Sequence, residues 1–170
     1  ESSSGGAATV LSEAIIKAGG CVFGVCYSID FKSVEFACVD NDNIEDLQRL
    51  KGSKYSESIK RIFHDGEYKA LWPFVADKLS SGQTVLFIGL GCDVAALKSF
   101  IRANKIDDKN LFTVDLICFG PTLNLVHRSY VESLEKKYKS RVHIDRRDID
   151  GVYIQEHYIN IRDVMEKYIG

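Results

Sequence analysis

The stretch Thr84–Ile101, TVLFIGLGCDVAALKSFI, carries the pattern that decides the fold. Its first part, Thr84–Ile88, is a β-rich apolar run bounded by glycines, as in a buried strand. The residues Gly89-Leu90-Gly91 then predict a tight turn. The apolar residues that follow have helical spacing: Val94, Leu97, Phe100 and Ile101. A strand that turns directly into a helix is the building unit of an α/β fold.

A second strand–helix unit follows it. The run Leu111–Cys118 predicts another buried strand, Gly120-Pro121 ends it, and Thr122 is predicted to cap a helix. The apolar residues of that helix are Leu123, Val126, Tyr130, Leu134 and Tyr138. Two consecutive units of this kind predict parallel strands joined by right-handed crossovers.

The amino-terminal part predicts a helix and a hairpin. Apolar residues at helical spacing run from Val10 to Ala18, and Gly19-Gly20 end this helix. Cys21–Tyr27 indicates a buried strand, and Ser33–Val39 is predicted to be its antiparallel partner. The intervening link is short enough for a hairpin.

Weaker signals fill the remainder of the chain. Asn43 is predicted to cap a short helix, and the segment from Tyr55 to Phe63 is expected to be helical. Pro73 fits the first turn of a helix that ends near Ser80. Further strands are expected at 141–144 and 152–158, and a last helix at 161–168.

These patterns together predict an α/β fold with a mixed, largely parallel sheet. Helices are expected on both faces, with an antiparallel hairpin near the amino terminus. Residues 1–170 are expected to form a single α/β domain, which we interpret as a fragment of a longer chain because it begins with Glu1.

Composition narrows the classes of function. The formal net charge of -2 offers no basic field for nucleic acid, and there is neither a run of eighteen apolar residues nor an export signal. Five cysteines at irregular spacing, without a CxxC pair, argue against a disulfide framework and for a reducing, cytoplasmic compartment. Oligomerisation is left open.

The turn Gly89-Leu90-Gly91-Cys92-Asp93-Val94-Ala95 is close to the dinucleotide fingerprint GxGxxG/A, with its third small residue one place late. Asp115 ends the next strand, roughly where a ribose-binding acid is expected. A tight turn without a ligand is the alternative interpretation.

Two cysteines are predicted at this same edge. Cys92 lies at a helix amino terminus, which suits a thiol to metal or redox work, and Cys118 ends the following strand. Both are candidates for metal-binding or redox residues, with small buried hydrophobes as the alternative. The other three, Cys21, Cys26 and Cys38, are expected in the core.

Two further glycine-bearing segments are candidate cofactor contacts. Ser4, Gly5 and Gly6 precede a helix, whose free N–H groups favour an anion, although a capped terminus is the simpler interpretation. Gly52, Ser53, Lys54 and Tyr55 offer flexible backbone, a hydroxyl, a cation and a ring, and a solvated turn is the alternative. The four histidines are scattered, and we expect surface or structural roles: His64, His127, His143 and His157.

Several of these motifs together resemble the coenzyme F420 hydrogenase/dehydrogenase beta-subunit family. SSSGGAATVLSEAIIKAGG is similar to the family's SGG-plus-helix opening, and FGVCYSIDFKSVEF to its hairpin. LQRLKGSKYSES resembles its LRGSKY element, TVLFIGLGCDVAALKSFI its VLFxGTPCQxAGLKxFL segment, and LFTVDLICFG its VDLxCHG strand. The resemblance covers residues 2–139 in the family's order.

The resemblance implies a cytoplasmic flavin-dependent oxidoreductase that passes electrons between a substrate or deazaflavin F420, FAD and an iron–sulfur centre. It places Ser4, Gly5 and Gly6 near the flavin, with Gly52, Ser53, Lys54 and Tyr55 in the same cleft. The opposite side would be formed by Gly89, Gly91, Cys92, Asp115, Cys118 and Gly120, with Cys92 and Cys118 as the candidate catalytic residues and iron–sulfur ligands. The implied partner is a small redox substrate or an electron-carrier protein, and the cluster belongs to the longer protein.

Three departures from the family pattern bear on the site. Gly91 stands in place of the proline of GTPC, Asp93 in place of the glutamine, and Phe119 in place of the histidine of CHG. The last change removes a proton donor or hydrogen bond from the site. The family's ferredoxin-like cysteine cluster does not occur in this sequence.

Two other functions stay open on the sequence. A Rossmann-type enzyme would bind NAD or S-adenosylmethionine at residues 89–95. A degenerate, non-catalytic module linked to polysaccharide biosynthesis would need no redox cofactor.

Overall fold

A computed structural model describes residues 6–52, 54 and 56–142, with the backbone alone for 151–154 and 157–160. The elements in chain order are α1 (Ala7–Lys17), β1 (Cys21–Tyr27), β2 (Val34–Val39), a 3-10 helix (Asn41–Asp46), α2 (Leu47–Leu50), β3 (Ser58–His64), β4 (Glu67–Ala70), α3 (Leu71–Ser80), β5 (Val85–Leu90), α4 (Gly91–Ala103), β6 (Leu111–Leu116), α5 (Asn124–Tyr138), β7 (Gly151–Ile154) and β8 (His157–Asn160). The predicted helices α1, α3, α4 and α5 and the predicted strands β1, β2 and β5 are confirmed.

The central sheet is mixed, as predicted. Its strand order is β4-β3-β2-β1-β5-β6, and β7 pairs with β8 in a separate hairpin. The β1–β2 and β3–β4 pairs are antiparallel, whereas β1–β5, β5–β6 and β2–β3 are parallel. The amino-terminal hairpin and the parallel β5–α4–β6 unit are therefore confirmed.

Helices cover both faces of the sheet. On one face, α3 and α4 bury an aromatic core in which Phe87 stacks against Phe36 at 5.3 Å and faces Phe23 at 6.5 Å. On the other face, Ile16 of α1 and Leu47 of α2 pack against Val22, Val39, Leu86 and Ile88. Burial of apolar surface on both faces explains why β1 and β5 are continuous hydrophobic runs in the sequence.

Three predicted features are wrong. The segment before Phe63 is strand β3, not a helix, and β3 alternates between the two faces. The short-helix cap is Asp40, whose carboxylate accepts from Asp42 N, while Asn43 Oδ1 accepts from Asp40 N. Thr122 does not cap α5, because the helix begins after Leu123.

The predicted buried strand at 111–118 is shorter and more exposed than expected. β6 ends at Leu116 and forms the edge of the sheet, so that Phe112 is 52% and Ile117 92% exposed. An apolar run does not distinguish a central strand from an edge strand, because that depends on the strand order.

The carboxyl-terminal predictions are only partly testable. The single strand expected at 152–158 is wrong, because these residues belong to two strands, β7 and β8, that pair in an antiparallel hairpin. Residues 141–142 are not in a strand. Residues 143–144 and the helix expected at 161–168 lie outside the described residues. In the described part of the chain, no helix combines the length and the apolar character needed to span a membrane.

The aromatic core generates a stability prediction. Phe87→Ala removes a fully buried ring and leaves a cavity, so it is expected to lower the free energy of unfolding by about 3–5 kcal/mol. Phe112→Ala on the neighbouring strand is the control, with an expected loss below about 1 kcal/mol. Urea unfolding followed by circular dichroism measures both. Equal losses would mean that the sheet is not packed in this order.

Candidate functional site

One end of the sheet gathers the segments that the sequence singled out. The carboxyl ends of β1, β5 and β6 meet at this end, because these strands are parallel and adjacent. The starts of β2 and β3 lie at the same end, since β2 runs against β1 and β3 runs with β2. We call this end the rim; it comprises residues 56–58, 89–93 and 116–122.

The glycine turn at the rim is tight and open on one side. Gly89 pairs with Asp115 across β5–β6, and a methyl group at Gly91 would lie 4.0 Å from Asp115 Oδ2. A methyl group at Gly89 would lie only 2.8 Å from the Phe87 ring and 3.2 Å from Asp93 Cβ. Gly89 therefore permits close helix–strand packing, while Gly91 leaves its side open for a ligand.

The loop that carries Gly52 and Lys54 contacts the segment after β6. Ser56 pairs with Thr122 in a parallel bridge, and Glu57 N donates to Thr122 O at 2.8 Å. The Glu57 carboxylate in turn accepts from Asn124 N at 2.9 Å, at the start of α5. These contacts join the residues that follow the loop of Gly52 and Lys54 to the residues that follow Gly120, while a shared site for the two predicted segments themselves stays a prediction.

Lys54 has a structural role within this loop. Its ammonium donates to Arg49 O at 3.0 Å and to Lys51 O at 2.8 Å, at the end of α2. A cation at the carboxyl end of a helix satisfies carbonyls that have no partner within the helix. Gly52 lies between these residues, whereas Ser53 and Tyr55 lie outside the described residues.

Gly6 is placed at the start of α1, and its carbonyl accepts from Val10 N at 3.0 Å. This helix packs on the opposite face of the sheet from α4. Ser4 and Gly5 lie outside the described residues, so the contribution of this segment to a common site stays a prediction.

Cys92 and Cys118 are both exposed, so neither is a buried hydrophobe. Cys92 is the second residue of α4, and Cys118 Sγ accepts from Gly120 N at 3.2 Å. Among the described residues, no group of three or more histidine, cysteine or carboxylate side chains could hold a metal ion. These two thiols alone do not make an iron–sulfur site.

The remaining cysteines agree with the prediction of core positions. Cys21 and Cys26 are buried, and Cys38 is partly buried against the aromatic core. Burial raises the pKa of the Cys26 thiol, which keeps it protonated and inert.

The sequence analysis missed an ion pair at the rim. Asp93 is 3% exposed, and its Oδ1 lies 2.6 Å from the ammonium of Lys60 on β3. Lys60 also donates to Ser58 Oγ at 2.7 Å, and its ammonium lies 5.5 Å from the Phe36 ring centre. Alternation along β3 would place Lys60 on the same face as Ser58 and Ile62, but no local pattern pairs it with Asp93 on a distant helix.

Helix α5 is held over the hairpin loop between β1 and β2. His127 Nε2 lies 2.8 Å from Phe31 O, and its ring stacks on Tyr27 at 5.7 Å. Lys32 binds Glu135 at 2.8 Å farther along the helix. The expected structural role of His127 is confirmed, and these contacts fix α5 beside the rim.

Large apolar side chains are exposed around Cys118. Ile117 and Phe119 are almost fully exposed, and more than half of the side-chain surface is exposed at Leu123, Leu125 and Val126. Exposed apolar side chains so close together in sequence are a candidate surface for a ligand or a protein partner. A separate open cavity with a volume of about 490 Å3 lies at the other end of α4, away from the rim. Its lining includes Lys98, Arg102 and Asp108.

Substitution of Gly89 and of Gly91 is expected to change the free energy of unfolding by different amounts. Gly89→Ala is expected to lower the free energy of unfolding by about 1–3 kcal/mol, because the added methyl group overlaps the Phe87 ring. Gly91→Ala meets no such neighbour and favours the helix, so its effect is expected to stay within about 1 kcal/mol. Thermal unfolding of both variants checks this, and equal effects would contradict the described turn.

Comparison with known proteins agrees with the fold. The chain matches a chain of the F420-reducing NiFe hydrogenase complex from Methanosarcina barkeri with a TM-score of 0.55 and 14% sequence identity. The match covers 97% of this chain and 57% of the hydrogenase chain, so this chain spans little more than half the length of the hydrogenase chain. At this identity the likeness is evidence for the fold alone. No curated protein matches the sequence significantly.

The family comparison is more specific. Residues 82–168 match the family that is described as the C terminus of the beta subunit of coenzyme F420 hydrogenase/dehydrogenase, and they make up just over half of the chain. The matched region contains β5, α4, β6 and α5, which supply most of the rim, and it extends beyond residue 139, where the motif resemblance ends. This chain belongs to the coenzyme F420 hydrogenase/dehydrogenase beta-subunit family.

Proposed function

We propose that this chain is the flavin-binding part of an oxidoreductase that passes electrons between a substrate or F420-type deazaflavin, FAD and an iron–sulfur centre. Membership of a redox family supports the general assignment. The observation that carries the specific proposal is the bridge between Ser56 and Thr122, which lies at the same end of the sheet as the open turn at Gly91. This bridge brings together segments that are more than sixty residues apart in sequence.

The residues of the rim fit a flavin. The exposed side chains of Ile117 and Phe119 offer apolar surface for a flat ring, and the free N–H groups at the start of α4 suit a carbonyl or phosphate oxygen. Gly91 leaves room for close approach of the ligand to this backbone. Gly52, Gly89 and Gly120 are further candidate contacts, together with Asp115.

A bound flavin supplies the chemistry, since it accepts two electrons as a hydride and releases them singly. The chain binds and orients the ring and limits its contact with water. Cys92 and Cys118, exposed on the rim, are the residues that we place beside the redox centre. Phe119 replaces a polar family residue and provides no proton, so the rim must take protons from another group.

The iron–sulfur centre is proposed for the longer protein. The described residues do not supply a set of ligands for it, and two exposed thiols contribute at most part of one. The partner that we propose is an electron-carrier protein or a small redox substrate at the exposed apolar surface. A reducing cytoplasm is the proposed setting, since no disulfide joins the cysteines.

One observation favours a second candidate, an enzyme that binds NAD or S-adenosylmethionine. Asp115 is the second-last residue of β6 and its carboxylate faces Gly91, near the place where a ribose-binding carboxylate lies in dinucleotide-binding folds. This candidate needs only the β5–α4–β6 unit and makes no use of the loop that contains Gly52.

The visible spectrum of the intact protein tests the proposal. Purified protein, or protein incubated with FAD and desalted, is expected to be yellow and to bleach on anaerobic reduction. A colourless protein that retains no FAD would contradict the proposal and favour the non-catalytic module.

Calorimetry separates the two enzymatic candidates. FAD is expected to bind, whereas NAD and S-adenosylmethionine give no heat under the same conditions. The reverse result would establish the second candidate.

Reconstitution of the intact protein with iron and sulfide tests the role of the two exposed thiols. Cys92→Ser and Cys118→Ser are expected to lower the iron–sulfur cluster content. Unchanged content would exclude these thiols as ligands.

A further inference from the structure

The carboxylate of Asp93 is only half satisfied. Oδ1 binds Lys60 at 2.6 Å, but Oδ2 is buried and has no hydrogen-bond partner within the described part of the chain. A buried charged acceptor without a partner is unfavourable, because it has lost its water and gained nothing in return. Such an atom at a ligand-binding edge points to a donor that a ligand supplies.

The surroundings of Asp93 define what that ligand offers. Asp93 is the third residue of α4, and no side chain of the described residues caps this helix, whose first N–H groups remain donors. The ammonium of Lys60 is a second donor, on a side chain that is 39% exposed. A buried acceptor thus shares the first turn of α4 with donors of two kinds, the helix N–H groups and the ammonium of Lys60.

A simple ion matches only part of this arrangement. A phosphate or carboxylate would meet the negative charge of Asp93, and a metal cation would meet the positive charge of Lys60. A neutral group with an N–H between two carbonyls matches all three protein groups: the Asp93 carboxylate, the Lys60 ammonium and the N–H groups at the start of α4. The imide –CO–NH–CO– of a pyrimidinedione ring has this order of acceptor, donor and acceptor.

We propose that Asp93 and Lys60 bind the imide edge of a pyrimidinedione ring. Asp93 Oδ2 accepts from the imide N–H, while Lys60 and the N–H groups at the start of α4 donate to its carbonyls. Flavins and 5-deazaflavins share this edge, so the inference rests on the proposed function and deepens it. Since Asp93 is 3% exposed, ring binding requires the partly exposed Lys60 side chain to move from its present position on Oδ1.

A methyl group on the imide nitrogen tests the contact directly. The intact protein is titrated with riboflavin and 3-methylriboflavin, and in parallel with 5-deazariboflavin and its 3-methyl derivative, by equilibrium dialysis. The methyl group removes the donor, so affinity is expected to fall by about 10- to 100-fold in the series whose ring binds here. The series that shows the loss identifies flavin or deazaflavin as the ligand.

Variants show which residue recognises the N–H. Asp93→Ala is expected to lower the affinity for the unmethylated ring. The ratio of affinities for the unmethylated and methylated rings is then expected to fall below about threefold. Lys60→Met is expected to lower the affinity for methylated and unmethylated rings by the same factor, so that the preference for the unmethylated ring remains. This variant tests the inference if Asp93→Ala does not fold. Asp77→Ala, which removes an exposed aspartate from α3, is the control and is expected to match the unaltered protein.

Two results would overturn the inference. The first is equal affinity of the unaltered protein for methylated and unmethylated rings, and the second is full discrimination in folded Asp93→Ala. Either leaves ring binding intact and so leaves the proposed function standing. Absence of any ring binding, with FAD included, would instead overturn the proposed function together with this inference.

Discussion

The rim depends on one steric constraint, the close approach of α4 to the end of β5. Gly89 has no side chain, which lets Asp93 and the ring of Phe87 lie where a methyl group would overlap both. The start of the helix is thereby fixed over the aromatic core and beside Asp115. A larger residue would force the helix outward and move the donors of its first turn away from the strand ends.

The second level of organisation joins distant parts of the chain around this turn. The bridge at Ser56–Thr122 and the contact of Glu57 with Asn124 tie the loop before β3 to the start of α5. Lys54 donates to backbone carbonyls at the end of α2, and His127 contacts the loop between β1 and β2 from α5. Each contact is modest in net energy. Together they fix the shape of a surface whose apolar side chains remain exposed.

Local pattern predicted much of the fold. Apolar runs and helical periodicity were sufficient for β1, β5, α3 and α4, because these elements are buried and strongly patterned. Strand β3 was missed because its alternating pattern is short and mixed with charge. The exposure of β6 was missed because strand order arises from long-range pairing, which no local pattern encodes.

The same reasoning explains what could be predicted of the site. Gly89, Gly91 and Asp115 belong to one strand–helix–strand unit, so their proximity follows from local sequence. The pair Asp93–Lys60 joins α4 to a strand that lies three places from β5 in the sheet, and the pattern of neither element indicates it. A residue that departs from the family pattern, Asp93, thus gains a specific structural role.

Hydrogen–deuterium exchange of the intact protein, with and without FAD, tests the central claim most directly. The account predicts that FAD slows exchange at the start of α4 and in the two joined segments of the rim, with no change at the far end of α4. Slower exchange elsewhere, with the rim unaffected, would contradict the account.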